Sequence, residues 1–209
     1  ALKLPVFEGY GLSESASVVA LNTPDSNKIG SVGKPLPHIE ISFSVDNEIL
    51  VKGANLLGYT RNISVDSDKA YIKTGDIGYL DADGYLFISG RKKNIFITSF
   101  GRNVSPEWVE RELTSSDYIL QACLFGEAKP WNTAIIVPRE HTTFAQIDAA
   151  IATINGNLPD YARINEWLPA HAPFSLQNQQ LTANGRLKRD VIWQTYQQQI
   201  NVLYALSPV

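Results

Sequence analysis

The first candidates for chemistry are a carboxylate and a guanidinium that a predicted hairpin brings together, Asp76 and Arg91. Two β-prone runs, residues 71–80 and 85–90, flank Asp-Ala-Asp-Gly at 81–84, a four-residue turn with glycine last. Asp76 is the last residue of the sequence Thr-Gly-Asp in the first run, and Arg91 directly follows the second run. Both side chains are therefore expected at the open end of the hairpin. An acceptor-only carboxylate beside a guanidinium fork suits a vicinal diol such as a ribose. The alternative is a surface ion pair, worth ~0–1 kcal/mol.

The register of this hairpin predicts how far apart the two charges lie. If Leu80 pairs with Tyr85, Asp76 lies opposite Ser89. Arg91 is then two residues beyond the partner of Asp76, within roughly 7 Å at about 3.3 Å per residue.

An aromatic ring between two glycines is the second candidate. Tyr10 lies between Gly9 and Gly11, and Ser13 and Glu14 follow. A Gly-Tyr-Gly turn exposes the ring beside a hydroxyl and a carboxylate. Such a segment can stack a base and hold a phosphate or a metal ion.

A basic loop near the end of the chain is the third candidate. Residues 181–189 read Leu-Thr-Ala-Asn-Gly-Arg-Leu-Lys-Arg, in which Arg186, Lys188 and Arg189 crowd an Asn-Gly turn. Such a loop could neutralise the charge that develops during phosphoryl or nucleotidyl transfer. A solvated basic turn is the alternative.

The stretch from 90 to 110 divides the chain into two parts. It begins with three cations at 91–93 and ends in a helix start, where Ser105 suits the N-cap and Pro106 the first helical position. Glu107 and Glu110 then bring negative charge to the start of the helix, where the dipole favours it.

The part before this stretch is predicted to be β-rich. Residues 38–45 and 48–52 alternate around Asp46-Asn47 as a hairpin, and the Gly- and Pro-rich residues 30–37 form a loop. We therefore expect residues 1–92 to be the β-rich end of a larger domain.

The part after it is predicted to be a small α+β domain, residues 93–209, with two or three strands and three helices. Strands are expected at 95–99, 119–125 and 133–137, and a helix at about 105–115 with Val109 and Leu113 on one face. Two amphipathic stripes predict the other helices. They are Phe144, Ile147, Ile151 and Ile154, in a helix capped by Thr142, and Ile192, Tyr196, Ile200 and Leu203, after Asn184-Gly185.

Composition excludes several classes of protein. The net charge is −3 and the pI about 5.6, which does not suggest a nucleic-acid or anionic-membrane surface, and no apolar run approaches the ~18 residues of a membrane span. The single cysteine, Cys123, lies in an apolar run and is expected to be a buried thiol of a cytoplasmic protein. The chain begins at Ala1 and has no methionine, so we expect a piece of a longer polypeptide.

Taken together, these segments resemble the adenylate-forming superfamily, which includes acyl-CoA synthetases, the adenylation domains of nonribosomal peptide synthesis and luciferase. The resemblance covers essentially the whole chain. It is carried, in order, by YGLSES, EILVKGANLLGY, YIKTGDIGYLDADGYLFISGRKKN, GRNVSPEWVE and LTANGRLKR. It implies the C-terminal part of an enzyme that joins a carboxylate to ATP and then transfers the acyl group to a thiol. The phosphate loop of the family is expected upstream of Ala1, so the isolated chain is expected to be inactive.

The resemblance also implies roles for individual residues. Tyr10 would lie against adenine, Ser13 would bond the α-phosphate, and Glu14 would help to hold Mg²⁺. Asp76 would bind the ribose hydroxyls of ATP or AMP, and Arg91 would contact the same nucleotide.

Three further positions match the family in the same way. Gly11 belongs to the nucleotide-binding motif, Lys93 is the hinge about which the small domain swings, and Gly101 lies where backbone meets the pantetheine of coenzyme A. Glycine permits that close approach.

One residue departs from the family, which usually has lysine after the glycine of the last loop. Arg186 stands there, and Lys188 follows two residues later. Because the role of that lysine is electrostatic, we expect Arg186 to perform it, although the two cations are not equivalent.

Three functions remain open. The first is an acyl-CoA synthetase for medium or long acyl chains, since GRKKNIFITSFGRNVSP resembles that branch most. The others are an enzyme that loads a carrier-protein phosphopantetheine, and a nucleotide-binding relative that has lost catalysis.

Overall fold

A computed structural model describes residues 5–12, 18–53 and 71–206. The chain divides after Lys93 into two compact units, residues 1–93 and 94–209. In the ranges described, no helix combines the length and the apolar character needed to cross a membrane.

The first unit is built from antiparallel strands in two sheets. Its strands are β1 (Gly9–Tyr10), β2 (Ala20–Leu21), β3 (Lys34–Pro35), β4 (Ile39–Phe43), β5 (Glu48–Gly53), β6 (Ile72–Leu80) and β7 (Leu86–Arg91). β1, β2 and β3 form one sheet in that order, and β4 to β7 form a second sheet whose neighbours are consecutive in the chain. Ile49, Val51 and Leu86 are fully buried in the core of this unit.

The predicted hairpin around Asp46-Asn47 is confirmed as β4 and β5. Its turn contains Asn47 at φ 59°, a left-handed conformation that asparagine tolerates better than most residues. The 30–37 segment is largely loop, as predicted, although Lys34–Pro35 forms the short third strand.

The second unit mixes strands and helices, as predicted. After a 3-10 turn (Lys92–Asn94), its elements are β8 (Phe96–Ile97), β9 (Asn103–Val104), α1 (Pro106–Thr114), β10 (Ile119–Phe125), β11 (Asn132–Pro138), α2 (Phe144–Asn157), β12 (Ile164–Pro169) and α3 (Arg189–Leu206). β8 and β9 form a small hairpin. β11 lies in the middle of the main sheet, antiparallel to β10 and parallel to β12.

Both faces of β11 are buried, each under different helices. Ala134 and Ile136 belong to a core that includes residues of α1 and α2, whereas Ile135 and Val137 belong to a core with α3. The predicted faces of α1 and α3 are the ones that pack on the sheet. Val109 and Leu113 of α1 are fully buried, and α3 buries Ile192, Tyr196 and Ile200. A strand covered on both sides explains the continuous apolar run in this part of the sequence.

The start of α1, with Ser105 before the helix and Pro106 first in it, agrees with the prediction, whereas the start of α2 needs correction. α2 is capped by Thr143, not by Thr142, because Thr143 and Gln146 form a reciprocal capping box. Phe144 therefore lies at the first helical position, 59% exposed, with its ring edge against Trp167, while Ile147 and Ile151 are buried. Ser105 occupies the N-cap position of α1, but its side chain makes no capping hydrogen bond.

Candidate functional site

Asp76 and Arg91 are cross-strand partners in the hairpin of β6 and β7. Arg91 Nε lies 2.7 Å from Asp76 Oδ1. The aspartate side chain is only 6% exposed, whereas the arginine side chain is 37% exposed. The convergence predicted from the sequence is present, and the pair is more buried than an ordinary surface ion pair.

The predicted register of this hairpin was wrong. Leu80 pairs with Leu86 and not with Tyr85. The loop of the hairpin is therefore one residue longer than predicted, and its glycine, Gly84, adopts a left-handed φ of 80°. A second irregularity after Ile77 inserts Ser89 between paired residues. Together these two shifts bring Arg91 directly opposite Asp76 instead of two residues beyond its partner.

Tyr10 completes a cluster with Asp76 and Arg91, called here the Asp76 cluster. The Tyr10 hydroxyl donates a hydrogen bond of 2.7 Å to Asp76 Oδ2, across 66 positions of sequence. Burial, with the nearby carboxylate adding to it, raises the pKa of Tyr10, so the phenol remains a proton donor at neutral pH. The predicted exposed turn at this position was wrong. Gly9–Tyr10 is a short strand paired with β2, the ring is half-buried, and Gly11 follows it at the surface.

The Asp76 carboxylate keeps acceptor capacity for a ligand. Each carboxylate oxygen has about two lone-pair sites, and among the described residues each has one partner, Arg91 Nε at Oδ1 and the Tyr10 hydroxyl at Oδ2. Within residues 5–12, 18–53 and 71–206, this leaves about one site on each oxygen, which matches the two adjacent hydroxyls of a ribose. The residues present therefore fit the sugar of a nucleotide.

A bulge in β6 holds Asp76 in place. Thr74 Oγ1 donates to the carbonyl of Ile49 at 2.9 Å and accepts from the Asp76 N–H at 3.1 Å. Gly75 lies between them at φ 72° and donates its N–H to Glu48 Oε1 at 3.1 Å. Because a non-glycine residue is strained at that φ, glycine permits the bend of the Thr-Gly-Asp segment.

We expect Asp76→Asn, in the full polypeptide that contains this chain, to weaken AMP binding about 10- to 100-fold, since hydrogen bonds to a charged group contribute about 1.5–3 kcal/mol. Isothermal titration calorimetry with AMP measures the effect. Asp81→Asn is the matched control, because Asp81 binds Lys28 at the hairpin turn outside the Asp76 cluster. Wild-type AMP affinity in the Asp76→Asn variant would contradict the assignment of Asp76 as the residue that binds the ribose.

In the second unit, the basic loop of residues 181–189 is a folded turn. The Thr182 N–H donates to the carbonyl of Arg186 at 2.8 Å, and the Arg186 N–H returns a bond of 3.1 Å to Thr182 Oγ1. Gly185 lies between them at φ 74°. Leu187 packs against the α3 core, so its neighbours Arg186 and Lys188 are both exposed.

Arg189 does not contribute to the charge of the basic loop, which corrects the prediction of three crowded cations. Its guanidinium binds Glu110 in a bidentate pair, with Nη1–Oε1 at 2.5 Å and Nη2–Oε2 at 2.6 Å. Glu110 also accepts the N–H of Leu124 at 2.7 Å and is buried. Burial raises the pKa of Glu110, and the hydrogen bonds and charge of Arg189 oppose that rise.

The predicted buried thiol, Cys123, lies beside this pair. Its Sγ is 3.6 Å from Arg189 Nη1, and the residue is fully buried. Burial raises the pKa of the thiol well above its usual range, with the negative charge of Glu110 as a second cause.

Two more predicted positions have a clear structural setting. Gly101 lies in the turn between β8 and β9 at φ 73°, where its N–H donates to the carbonyl of Thr98 at 2.9 Å and open space surrounds it. Its backbone conformation therefore favours glycine and leaves the turn accessible. Lys93 is exposed in the 3-10 turn where the first unit ends.

The predicted phosphate and metal residues, Ser13 and Glu14, lie outside the described residues, as does most of the segment GANLLGY. Within residues 5–12, 18–53 and 71–206, no group of three or more His, Cys, Asp or Glu side chains could hold a metal ion.

Comparison with protein-family models matches residues 93–207 to a family described as the AMP-binding enzyme C-terminal domain. The chain belongs to the AMP-binding enzyme family. This match covers more than half of the chain, and it confirms the family that the sequence motifs predicted.

Related AMP-binding enzymes are CoA ligases. Long-chain-fatty-acid–CoA ligase FadD15 of Mycobacterium bovis is 32% identical over 229 residues, covering 96% of this chain and 38% of that ligase. 2-Succinylbenzoate–CoA ligase of Listeria monocytogenes is 32% identical over 190 residues, covering 85% of this chain and 40% of that ligase. This chain therefore spans about two fifths of the length of either ligase.

Solved AMP-binding enzymes share the fold. O-succinylbenzoate coenzyme A synthetase from Bacillus subtilis in complex with AMP gives a TM-score of 0.69 at 27% identity, covering 89% of this chain and 40% of that chain. The same synthetase in complex with ATP and a magnesium ion gives a TM-score of 0.68 at 26% identity, covering 89% of this chain and 41% of that chain.

Proposed function

We propose that the polypeptide containing this chain is an AMP-forming acyl-CoA synthetase. A carboxylate oxygen attacks the α-phosphorus of ATP, and the bond to pyrophosphate breaks. The thiol sulfur of coenzyme A then attacks the acyl carbon, loses its proton, and displaces AMP. The observation that carries this proposal is the Asp76 cluster, because a carboxylate with one partner on each oxygen among the described residues fits the ribose of ATP.

The described residues have distinct roles in this proposal. Asp76 binds the ribose hydroxyls, Arg91 orients Asp76 and contacts the nucleotide, and Tyr10 lies against adenine while its hydroxyl holds the carboxylate. Gly11 leaves room for the nucleotide beside Tyr10.

The phosphate end of the nucleotide depends on other residues. Ser13 bonds the α-phosphate, and Glu14 helps to hold the Mg²⁺ that neutralises phosphate charge. In the second unit, Arg186 stabilises the charge that develops on the carboxylate and bridging oxygens.

The proposal also assigns the two units. Residues 1–92 are the β-rich end of the AMP-binding domain, and residues 93–209 are a small mobile domain that turns about Lys93 between the two half-reactions. The division of the chain after Lys93 supports this assignment. The exposed turn at Gly101 is where backbone would meet the pantetheine of coenzyme A.

For the substrate we propose a medium- or long-chain fatty acid. The long-chain-fatty-acid–CoA ligase matches 96% of this chain, which supports a long acyl group. A second candidate is an aromatic acid such as 2-succinylbenzoate, which is favoured by the relatives that act on it.

AMP release by the full polypeptide tests the proposal. The assay supplies Mg-ATP with fatty acids of increasing chain length and with 2-succinylbenzoate, each with and without coenzyme A. AMP release that depends on coenzyme A and has one chain-length optimum is the expected result. An optimum on 2-succinylbenzoate would overturn the fatty-acid substrate and retain the reaction.

Two other outcomes correspond to the other functions. AMP release that needs a phosphopantetheinylated carrier protein, and not coenzyme A, would identify a carrier-loading enzyme. AMP binding with no pyrophosphate exchange on any acid would identify a relative that has lost catalysis, and Arg186→Lys is then the variant that should restore exchange.

A further inference from the structure

Glu48, the first residue of β5, has a carboxylate that the proposed chemistry does not use. Its side chain is 5% exposed. The two oxygens have different partners: Oε1 accepts the Gly75 N–H at 3.1 Å, and Oε2 accepts Lys92 Nζ at 2.9 Å. Burying a carboxylate is costly unless it is paired and hydrogen-bonded, so this arrangement needs both partners.

Lys92 is held from two sides. Besides Glu48, its ammonium contacts Asp46 Oδ2 at 2.7 Å. Hydrogen bonds, first from Lys92 and then from Ser44, lower the pKa of Asp46 to about 2, so Asp46 is ionised at neutral pH. Because Lys92 directly follows Arg91, this contact fixes the end of β7 just before the first unit ends.

The two partners of Glu48 are the chain neighbours of the Asp76–Arg91 pair. Gly75 precedes Asp76 on β6, and Lys92 follows Arg91 after β7. One buried carboxylate therefore connects the bend that aims Asp76 with the residue that fixes Arg91.

We propose that Glu48 is a positioning residue that ties the ribose-binding Asp76 cluster to Lys92, where the first unit ends. The inference rests on the proposed function, because it assumes that the Asp76 cluster binds the nucleotide. The ammonium of Lys92 contacts Glu48 and Asp46 and, in the described contacts, no residue of the Asp76 cluster, so Glu48 is the side chain that links this ammonium to Gly75, next to Asp76.

A double-mutant cycle on AMP affinity tests the tie. In the full polypeptide, Lys92→Gln is expected to weaken AMP binding about 3- to 10-fold, the effect of losing one hydrogen bond at the site. In a Glu48→Gln background the same change is expected to alter affinity less than about twofold, because residues of one network are not additive. The amide side chain that Glu48→Gln introduces still has an oxygen for the Gly75 N–H, and Thr74 still holds the bulge, so both variants are expected to fold.

Lys52→Gln is the matched control. Lys52 pairs with Glu40 on the neighbouring strand at 3.1 Å, in the same sheet, and Glu40 is largely exposed. This variant removes a lysine–glutamate pair without touching the Asp76 cluster and is expected to leave AMP affinity unchanged.

Amide hydrogen exchange at Gly75 provides a readout that does not need a ligand. Lys92→Gln is expected to speed this exchange, because the Glu48 side chain loses one of the two contacts that fix its position against the Gly75 N–H. Lys52→Gln is expected to leave it unchanged.

The outcomes separate the inference from the proposed function. Equal effects of Lys92→Gln with and without Glu48, or no effect on AMP affinity, would overturn the inference while AMP release by the wild type still supports the synthetase. Faster exchange at Gly75 with unchanged AMP affinity would show a purely structural tie and would also overturn it. A wild type that neither binds nor releases AMP removes the proposed function, and the inference with it.

Discussion

Arg186→Ala is expected to lower the rate of adenylation about 10²- to 10³-fold, the effect of removing one group that stabilises charge in a transition state. Arg186 is exposed, and two hydrogen bonds fix its backbone at the end of a folded turn, one from the Thr182 N–H to the Arg186 carbonyl and one from the Arg186 N–H to Thr182 Oγ1. An electrostatic role needs only a positive charge at a fixed position, which this turn supplies. Pyrophosphate exchange by the full polypeptide measures the effect.

Lys188→Ala is the matched comparison, because Lys188 is a second exposed cation two residues away in the same loop. We expect it to leave adenylation within a few-fold of the wild type. If Lys188→Ala abolishes exchange and Arg186→Ala leaves it largely intact, the two roles are reversed. Arg186→Lys is expected to retain activity, because it preserves the charge and changes only the planar, bidentate geometry.

Glu110→Ala is expected to reduce the free energy of unfolding of the second unit by about 3–5 kcal/mol, the cost of leaving one member of a buried ion pair without its partner. The change removes both bonds to Arg189 and the acceptor of the Leu124 N–H. Urea unfolding, followed by far-ultraviolet circular dichroism, measures it.

Two further variants make this result interpretable. Glu112→Ala, on the same helix, is expected to change stability by no more than about 0.5 kcal/mol. Glu110→Gln combined with Arg189→Met is expected to recover much of the loss, since the amide oxygen still accepts from Leu124 and neither member of the Glu110–Arg189 pair is left as an unpaired buried charge. A Glu110→Ala protein within about 1 kcal/mol of the wild type would refute the role of the pair.

The fold could be predicted wherever local periodicity determines burial. Val109 and Leu113 of α1, and Ile192, Tyr196 and Ile200 of the predicted α3 stripe, are buried, because the amphipathic pattern and the buried face agree. The hairpin around Asp46-Asn47 forms as predicted. The β12 strand was not predicted. Its sequence, INEWLP, mixes polar and apolar residues, and its parallel pairing with β11 depends on the crossover through α2.

The candidate site could be predicted only in part. The convergence of Asp76 and Arg91 follows from a local hairpin, but its register depends on two irregularities that alternation does not reveal. The contact of Tyr10 with Asp76 joins residues 66 positions apart, and that of Glu110 with Arg189 joins residues 79 apart. Charge types alone cannot identify such partners, so Arg189 was grouped with the wrong cations.

The buried position of Cys123 allows thiol labelling to measure how often the core between the sheet and α3 opens. The thiol is fully buried against Arg189, and its raised pKa keeps the reactive thiolate scarce. A thiol reagent can therefore modify this cysteine only in molecules whose sheet and α3 have separated. Since the chain contains one cysteine, its labelling rate sums every opening that exposes Cys123, and faster labelling would distinguish loosening around Arg189 from a change confined to the exposed part of the basic loop.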